Sequence, residues 1–265
     1  MTRISKRLNA VLSNYPLSQA FKEKLAEEVG PDAVWLTVTE LRQSSVLAMI
    51  RQLRARRFET IYLPVEADEG RALLPILQLI SAIAPARRRA MIDENLVSRK
   101  FGAFHLFISV ANLISATLAS WISAFKIANA VRVLERTPQS PVPPSPGKTV
   151  FFLNANLWFG VKAGGSVGHI SGVVNGFLEL GYPVSYASAG GRLLVRPEID
   201  YIPLKGPRHF GLPVEYYHYR FHFDVVRQAD RLTRARDAGF IYQRMSICNF
   251  SGVELSRRLN KPLVL

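Results

Sequence analysis

The sequence predicts an α/β protein, and three observations support that class. Short apolar, β-prone runs alternate with helical stretches along most of the chain. Glycine and proline stand between them, where turns belong. The composition, 48% hydrophobic and 20% charged over 265 residues, suits folded domains with substantial cores.

The first segment, 1–98, carries the alternation in outline. A helix is expected around Ser18–Val29, ended by Gly30-Pro31, and then a short strand, Val34–Val38. A helical stretch follows from about Glu40 to Arg57. A second strand, Thr60–Leu63, is expected to end at Pro64, and a helix, Arg71–Ile83, closes before Pro85. Two strands with their helices make a partial doubly wound unit, the smaller of two α/β segments.

The next segment is unusual. Residues 101–125, FGAFHLFISVANLISATLASWISAF, contain no Asp, Glu, Lys or Arg. That length could cross a bilayer. Phe107, Val110, Ile114, Leu118, Trp121 and Phe125 recur at helical spacing, with Ser109, Asn112, Ala116, Ser120 and Ser123 on the other side. Arg99-Lys100 precede the run and Lys126, Arg132 and Arg136 follow it, so flanking charge favours neither direction of crossing. Three placements stay open: in the plane of a membrane interface, buried in the protein, or spanning. The interfacial placement is favoured, because one crossing would separate the α/β segments and flanking cations suit anionic headgroups.

Residues 137–147, TPQSPVPPSPG, read as an extended linker, which sets the expected domains at 1–136 and 148–265. After it come an apolar strand, Thr149–Leu153, a glycine-rich loop, Asn154–Gly168, and a helix, His169–Leu180, ended by Gly181. A strand then starts at Pro183–Tyr186. Near the end lie a strand, Phe240–Tyr242, a helix, Ser251–Asn260, with Ser251 as N-cap, and a strand, Pro262–Leu265. Strand, loop, helix, strand is a Rossmann-like unit, and it recurs at the end.

The chain carries a formal net charge of +14, with an equal excess of seven in residues 1–147 and 148–265. A diffuse positive surface attracts polyanions: nucleic acid, anionic lipid or phosphorylated substrates. No zinc finger, RNA-recognition signature or basic heptad is present, so nucleic acid is not an expected partner. A single cysteine, Cys248, excludes an internal disulfide and multi-cysteine metal sites, and fits a reducing compartment. The N-terminal apolar run is too short for a secretory signal, so the expected location is the cytoplasm.

The sharpest motif is Gly164-Gly165-Ser166-Val167-Gly168-His169, between a strand and a helix. Free N–H groups and the helix dipole favour an anion there, although such a turn serves equally as plain structure. His169 could orient or protonate a ligand oxygen, or be a satisfied structural histidine. Tyr242-Gln243-Arg244 ends a strand ahead of the loop Met245–Phe250, which holds Asn249. Arg244 could clamp a phosphate, cap a carbonyl or face solvent. The run Tyr216–His222 could line a groove or form surface loop and core. With His209 it supplies three histidines but no carboxylate or cysteine to complete a metal set, and no metal is expected.

GGSVGHISGVVNGFLELGYPV and FIYQRMSICNFSGVELSRRLNKPLVL together resemble the N-terminal, acceptor-side domain of retaining GT-B glycosyltransferases of family 4, over Val150–Leu265. The resemblance implies facing Rossmann domains with a catalytic cleft between them. It implies a nucleotide-diphosphate sugar as donor, no metal or other cofactor, and a lipid-linked or cell-envelope glycan acceptor at the cytoplasmic membrane face. It places Gly164, Gly165 and Ser166 at the donor phosphates, makes His169 catalytic, and gives Arg244, Tyr242 and Asn249 binding roles. The expected activity is hexosyl transfer in cell-envelope polysaccharide biosynthesis. The family's donor domain, with its paired glutamates, lies beyond Leu265, so this portion is expected to be inactive alone. The alternative is a non-catalytic, membrane-docked binding module of the same fold.

Overall fold

In the computed structural model, residues 8–15, 17–43, 45–66, 68–137, 147–157, 164–235 and 238–265 are described. The expected linker thus falls largely outside the described residues, as does most of the loop before Gly164. The chain forms two compact units, Met1–Ala116 with Arg208–Phe210, and Thr117–Pro207 with Gly211–Leu265. The division falls inside one long helix.

The first unit runs β1 (Leu8–Ser13), α1 (Gln19–Val29), β2 (Val34–Thr37), α2 (Val38–Arg42), α3 (Val46–Arg54), β3 (Phe58–Val65), a 3-10 turn (Asp68–Leu73), α4 (Leu74–Ile83), β4 (Ala86–Asp93) and β5 (Ser98–Lys100). Its strand order is β2-β1-β3-β4-β5, parallel except for β5. Such an order reverses direction between β1 and β3, as in flavodoxin-like doubly wound sheets. Phe21, Leu25 and Val29 of α1 pack on Val11 and Ile92. Ser18 caps α1 through the Phe21 N–H.

Five strands replace the two expected, and the reasons are local. The Arg87–Arg89 run of β4 reads as solvated charge in sequence. In the structure Arg87 pairs with Glu59 on β3, while the Arg89 guanidinium donates to the Ser81 and Ala84 carbonyls at the end of α4. The expected helix 40–57 is two helices, because Thr37 with Glu40 forms a capping box and Ser45 caps a second start. Pro64 does not end β3: β1 pairs with β3 only as far as Tyr62, and beyond it a missing N–H costs no ladder bond on that side.

The helix α5 (Ala103–Arg136) is longer than the apolar run that predicted it. It contributes to the first unit through Ala116 and to the second from Thr117.

The second unit is a Rossmann-like sheet of five parallel strands: β6 (Val150–Asn154), β7 (Val184–Ser188), β8 (Asp200–Pro203), β9 (Phe240–Arg244) and β10 (Leu263–Val264). Its helices are α6 (Gly165–Glu179), α7 (Tyr216–Ala235) and α8 (Ser251–Leu259). The order is β10-β9-β6-β7-β8, the 3-2-1-4-5 arrangement of a dinucleotide-type half read from the other edge. All five residues of β6 are buried, as a central parallel strand requires. Val150 and Phe152 face a core with Ile170 and Val174 of α6, whereas Phe151 and Leu153 face Phe221, Val225 and Leu255 of α7 and α8. Each such phenylalanine stabilises the fold by about 2–3 kcal/mol.

Residues 216–222 are not a groove or loop. They open α7, whose Tyr217, Phe221, Val225 and Ala229 are buried at every fourth position. The strand β8 was not expected, because Asp200 and Pro203 mask a half-exposed edge. The N-cap of α8 is Phe250, not Ser251, and α6 begins four residues before His169.

Candidate functional site

In an open parallel sheet, ligands bind beyond the carboxyl ends of the strands where the order reverses. In the second unit that point lies between β6 and β9. The register sets Asn154 beside both Ser188 and Arg244, so the last residues of β7, β6 and β9 form one polar row.

Asn154 anchors it. Its side-chain amide donates to the Tyr186 hydroxyl at 2.9 Å and to Ser188 Oγ at 3.1 Å. Its carbonyl oxygen accepts from the backbone and side-chain nitrogens of Asn156, at 3.2 and 2.9 Å. Ser188 Oγ also accepts from the Gly190 N–H, and the Tyr201 hydroxyl donates to the Ser188 carbonyl. Burial pushes the Tyr186 hydroxyl pKa up, against bonds to Ser188 and Asn154 that pull it down. The phenol therefore stays protonated and holds the row in place.

The helix following β6 begins at Gly165. Gly164 holds φ +133°, a conformation suited to glycine, and the first helical bond runs from the Gly168 N–H to the Gly164 carbonyl. The N–H groups of Gly165, Ser166 and Val167 precede that bond, at the positive end of the helix dipole. Gly164, Gly165, Ser166 and His169 are exposed.

Arg244 is half-buried, and its guanidinium has no hydrogen-bond or ion-pair partner among the described residues. In the loop after it, Cys248 adopts φ +57°, and Ser246 and Asn249 form an isolated bridge. Ser246 Oγ and the Asn249 side-chain nitrogen are buried without hydrogen-bond partners. A free guanidinium at a strand end, followed in the next loop by orphaned polar atoms, is a composition that suits an anion. The rest of Asn249 is committed to structure: its Oδ1 accepts from the Ser251 N–H and hydroxyl, fixing the start of α8.

The predicted residues therefore divide. Gly164, Gly165 and Ser166 lie at the α6 start, Arg244 and Asn249 on the rim beyond β9, and His169 on the exposed side of α6. Tyr242 is not on the rim. It stacks on Phe152 at 4.8 Å and meets Phe177 edge-on, half-buried against the aromatic core. Asn154 and Ser188 were missed, although each is a polar residue closing an apolar strand, a readable signal. The first unit has its own cleft of about 420 Å³ at the ends of β1 and β2, but its Thr37 and Glu40 are spent on the capping box.

These features define a class: an open doubly wound α/β protein with an anion-suited edge. No family model matches the chain, and no curated protein does. Among solved structures it is similar to an NADPH-dependent glyoxylate/hydroxypyruvate reductase from Sinorhizobium meliloti, solved with NADP and sulfate. That likeness has 8% identity and a TM-score of 0.22 over 89% of this chain and 62% of the reductase. A D-isomer specific 2-hydroxyacid dehydrogenase from Lactobacillus delbrueckii ssp. bulgaricus, in its NAD form, gives 10% identity and a TM-score of 0.23 over 97% and 89%. A probable 2-hydroxyacid dehydrogenase from Rhizobium etli gives 8% and 0.20 over 97% and 87%. The chain spans less than two thirds of the first of these. Likeness at this level assigns neither activity nor cofactor to this chain.

The comparisons correct the glycosyltransferase reading. No family model or curated protein of that kind matches, and the similar solved structures are described as 2-hydroxyacid dehydrogenases and a reductase, solved with NAD or NADP. The hexosyltransferase activity, its role in envelope polysaccharide synthesis, the nucleotide-sugar donor, the lipid-linked or glycan acceptor and the expected lack of a cofactor all fall with it. So does the alternative of a binding module with that family's fold. The physical reason lies in the motif residues themselves. The glycine-rich turn opens α6, Tyr242 stacks on Phe152, and Gly252 packs against Gln243, so each motif residue answers to packing within this unit.

Proposed function

We propose that the second unit binds a phosphate-bearing small molecule at the carboxyl edge of β7, β6 and β9. The observation that carries this reading is the free guanidinium of Arg244, in register with Asn154 at the switch point and followed by two orphaned buried polar atoms. The N–H groups of Gly165, Ser166 and Val167 hold phosphate oxygens, Arg244 supplies a bidentate clamp, and the Asn249 side-chain nitrogen donates to a further oxygen. His169, exposed one turn into α6, would contact the ligand's outer end in this reading.

Calorimetric titration of the full chain with ADP and with pyrophosphate tests this. Binding is expected, weakened at least ten-fold by Arg244→Ala and measurably by Gly165→Pro, which removes one N–H at a helix position that accepts proline. Absence of binding by either ligand, or binding indifferent to both substitutions, would refute the reading.

A further inference from the structure

The polarity of α5 is inverted relative to a surface helix of a soluble protein. Its buried residues include Ser109, Ala116 and Ser120, small or polar. Its outward residues are large and apolar: Phe104 (72% exposed), Phe107 (71%), Leu118 (60%) and Phe125 (72%), with Ile114 and Trp121 between them. From Phe104 to Phe125 this face runs about 30 Å at 1.5 Å per residue. Soluble proteins seldom leave a contiguous apolar surface of that length uncovered.

Three observations identify what covers it. The first is charge. No acidic residue occurs between Glu94 and Glu135, whereas Arg99, Lys100, Lys126 and Arg132 all lie there. The second is a cleft of about 270 Å³ where the apolar run ends, lined by Ser123, Lys126, Arg220, Phe223, Asp224 and Arg227. Three cations share one carboxylate in it, Asp224, which pairs with Arg227 at 3.5 Å and also interacts with Arg220, so positive charge is in excess there. The third is lateral attachment. Within the first unit Ser109 donates to the Gln78 side chain. Within the second, Thr117 Oγ1 accepts from the Leu212 N–H, Trp121 packs edge-on against Tyr216, and Arg257 donates to the Leu134 carbonyl. In the second unit the helix is bonded to protein at three levels from Thr117 to Leu134, so it is not wrapped by lipid there and does not span. Exposed Leu212 and Val214 continue the apolar surface beside Thr117.

We infer that α5 lies in the plane of an anionic bilayer, its outer face among the acyl chains and an anionic headgroup held by Lys126, Arg220 and Arg227. This makes the chain a peripheral membrane protein. The inference does not depend on ligand binding at the β6–β9 edge.

Vesicle flotation of the full chain tests it, with phosphatidylcholine alone and with phosphatidylcholine containing phosphatidylglycerol. Flotation is expected with the anionic vesicles and little with the neutral ones. Lys126→Gln/Arg227→Gln should weaken it about five-fold per cation removed, and Phe104→Ser/Phe107→Ser/Phe125→Ser should abolish it with circular dichroism unchanged. In a Trp35→Phe/Trp158→Phe background Trp121 is the sole tryptophan. Lipids brominated near the headgroup should then quench it best, whereas quenching best from the bilayer centre would overturn the in-plane placement. Failure of folded protein to float with anionic vesicles would overturn the whole inference. So would a stable dimer in sedimentation that the phenylalanine substitutions dissociate, since a second copy would then cover this face.

Discussion

Replacing Asn154 with leucine removes the polar anchor of the β6–β9 edge while keeping the side-chain volume close. Four hydrogen bonds are lost. The two to Tyr186 and Ser188 leave buried partners behind and cost about 1.5 kcal/mol each; the two from half-exposed Asn156 can pass to water and cost about 0.5 each. Against this gross loss of about 4 kcal/mol, the larger apolar area of leucine at a fully buried position returns about 2. The net destabilisation is therefore about 2 kcal/mol, confined to the second unit. Hydrogen exchange read by mass spectrometry separates the units. Amides of β6 and β7 that open with the unit should exchange about 30-fold faster, while β3 and β4 of the first unit stay unchanged. Asn156→Ala, losing only the water-replaceable bonds, should change these rates less than five-fold. Unchanged exchange in β6 and β7 of the leucine variant would refute the anchoring role, as would an equal effect from Asn156→Ala.

Three further substitutions probe the helix layer behind the site. His222 and Glu254 form a buried pair at 3.2 Å, with Arg258 reaching the other carboxylate oxygen from the surface. His222→Leu should cost about 2 kcal/mol by leaving the Glu254 carboxylate with Arg258 alone, and Glu254→Leu in the same chain should recover much of it, measured by urea unfolding. Burial pushes the Asp224 carboxyl above its usual range, with Arg227 and Arg220 pulling back only in part. A raised pKa means that its stabilising contribution is complete below the ordinary aspartate value of about 3.9 and is lost as pH rises through the raised one. Asp224→Asn should therefore gain in Tm relative to the unaltered protein between pH 4 and pH 7; a constant or shrinking difference would contradict the burial account.

The α/β class and the second unit's strands β6, β7 and β9 were legible because apolar runs bounded by Gly and Pro are what a central parallel strand needs. The strands that escaped carry their polarity for reasons outside themselves. Arg89 looks like surface charge until the end of α4 is seen to accept its bonds, and Pro203 reads as a breaker until β8 proves to be an edge. The opening of α7 was hidden by its crowd of aromatic and basic residues, though the spacing of Tyr217, Phe221 and Val225 was available. At the candidate site, Gly164 and Arg244 announced themselves by type and position. Asn154 and Ser188 each close an apolar strand, a readable local signal, but their place beside one another and Arg244 follows only from the register of three strands. The family resemblance misled because its motif residues answer to packing: Tyr242 stacks on Phe152, and a Cβ on Gly252 would meet Gln243. In α5 the two-sided pattern was visible in sequence, but which side faces protein came only from packing.

The carboxyl edge of β7, β6 and β9 is proposed to receive a phosphate. Amide and side-chain chemical-shift mapping by ¹H–¹⁵N NMR during titration with ADP addresses it most directly. The largest shifts are expected at the Gly165, Ser166 and Val167 amides, the Arg244 Nε and the Asn249 side-chain nitrogen, with the first unit silent. Shifts centred on the cleft at Ser13, Asn14 and Trp35, or none at saturating ligand, would contradict it.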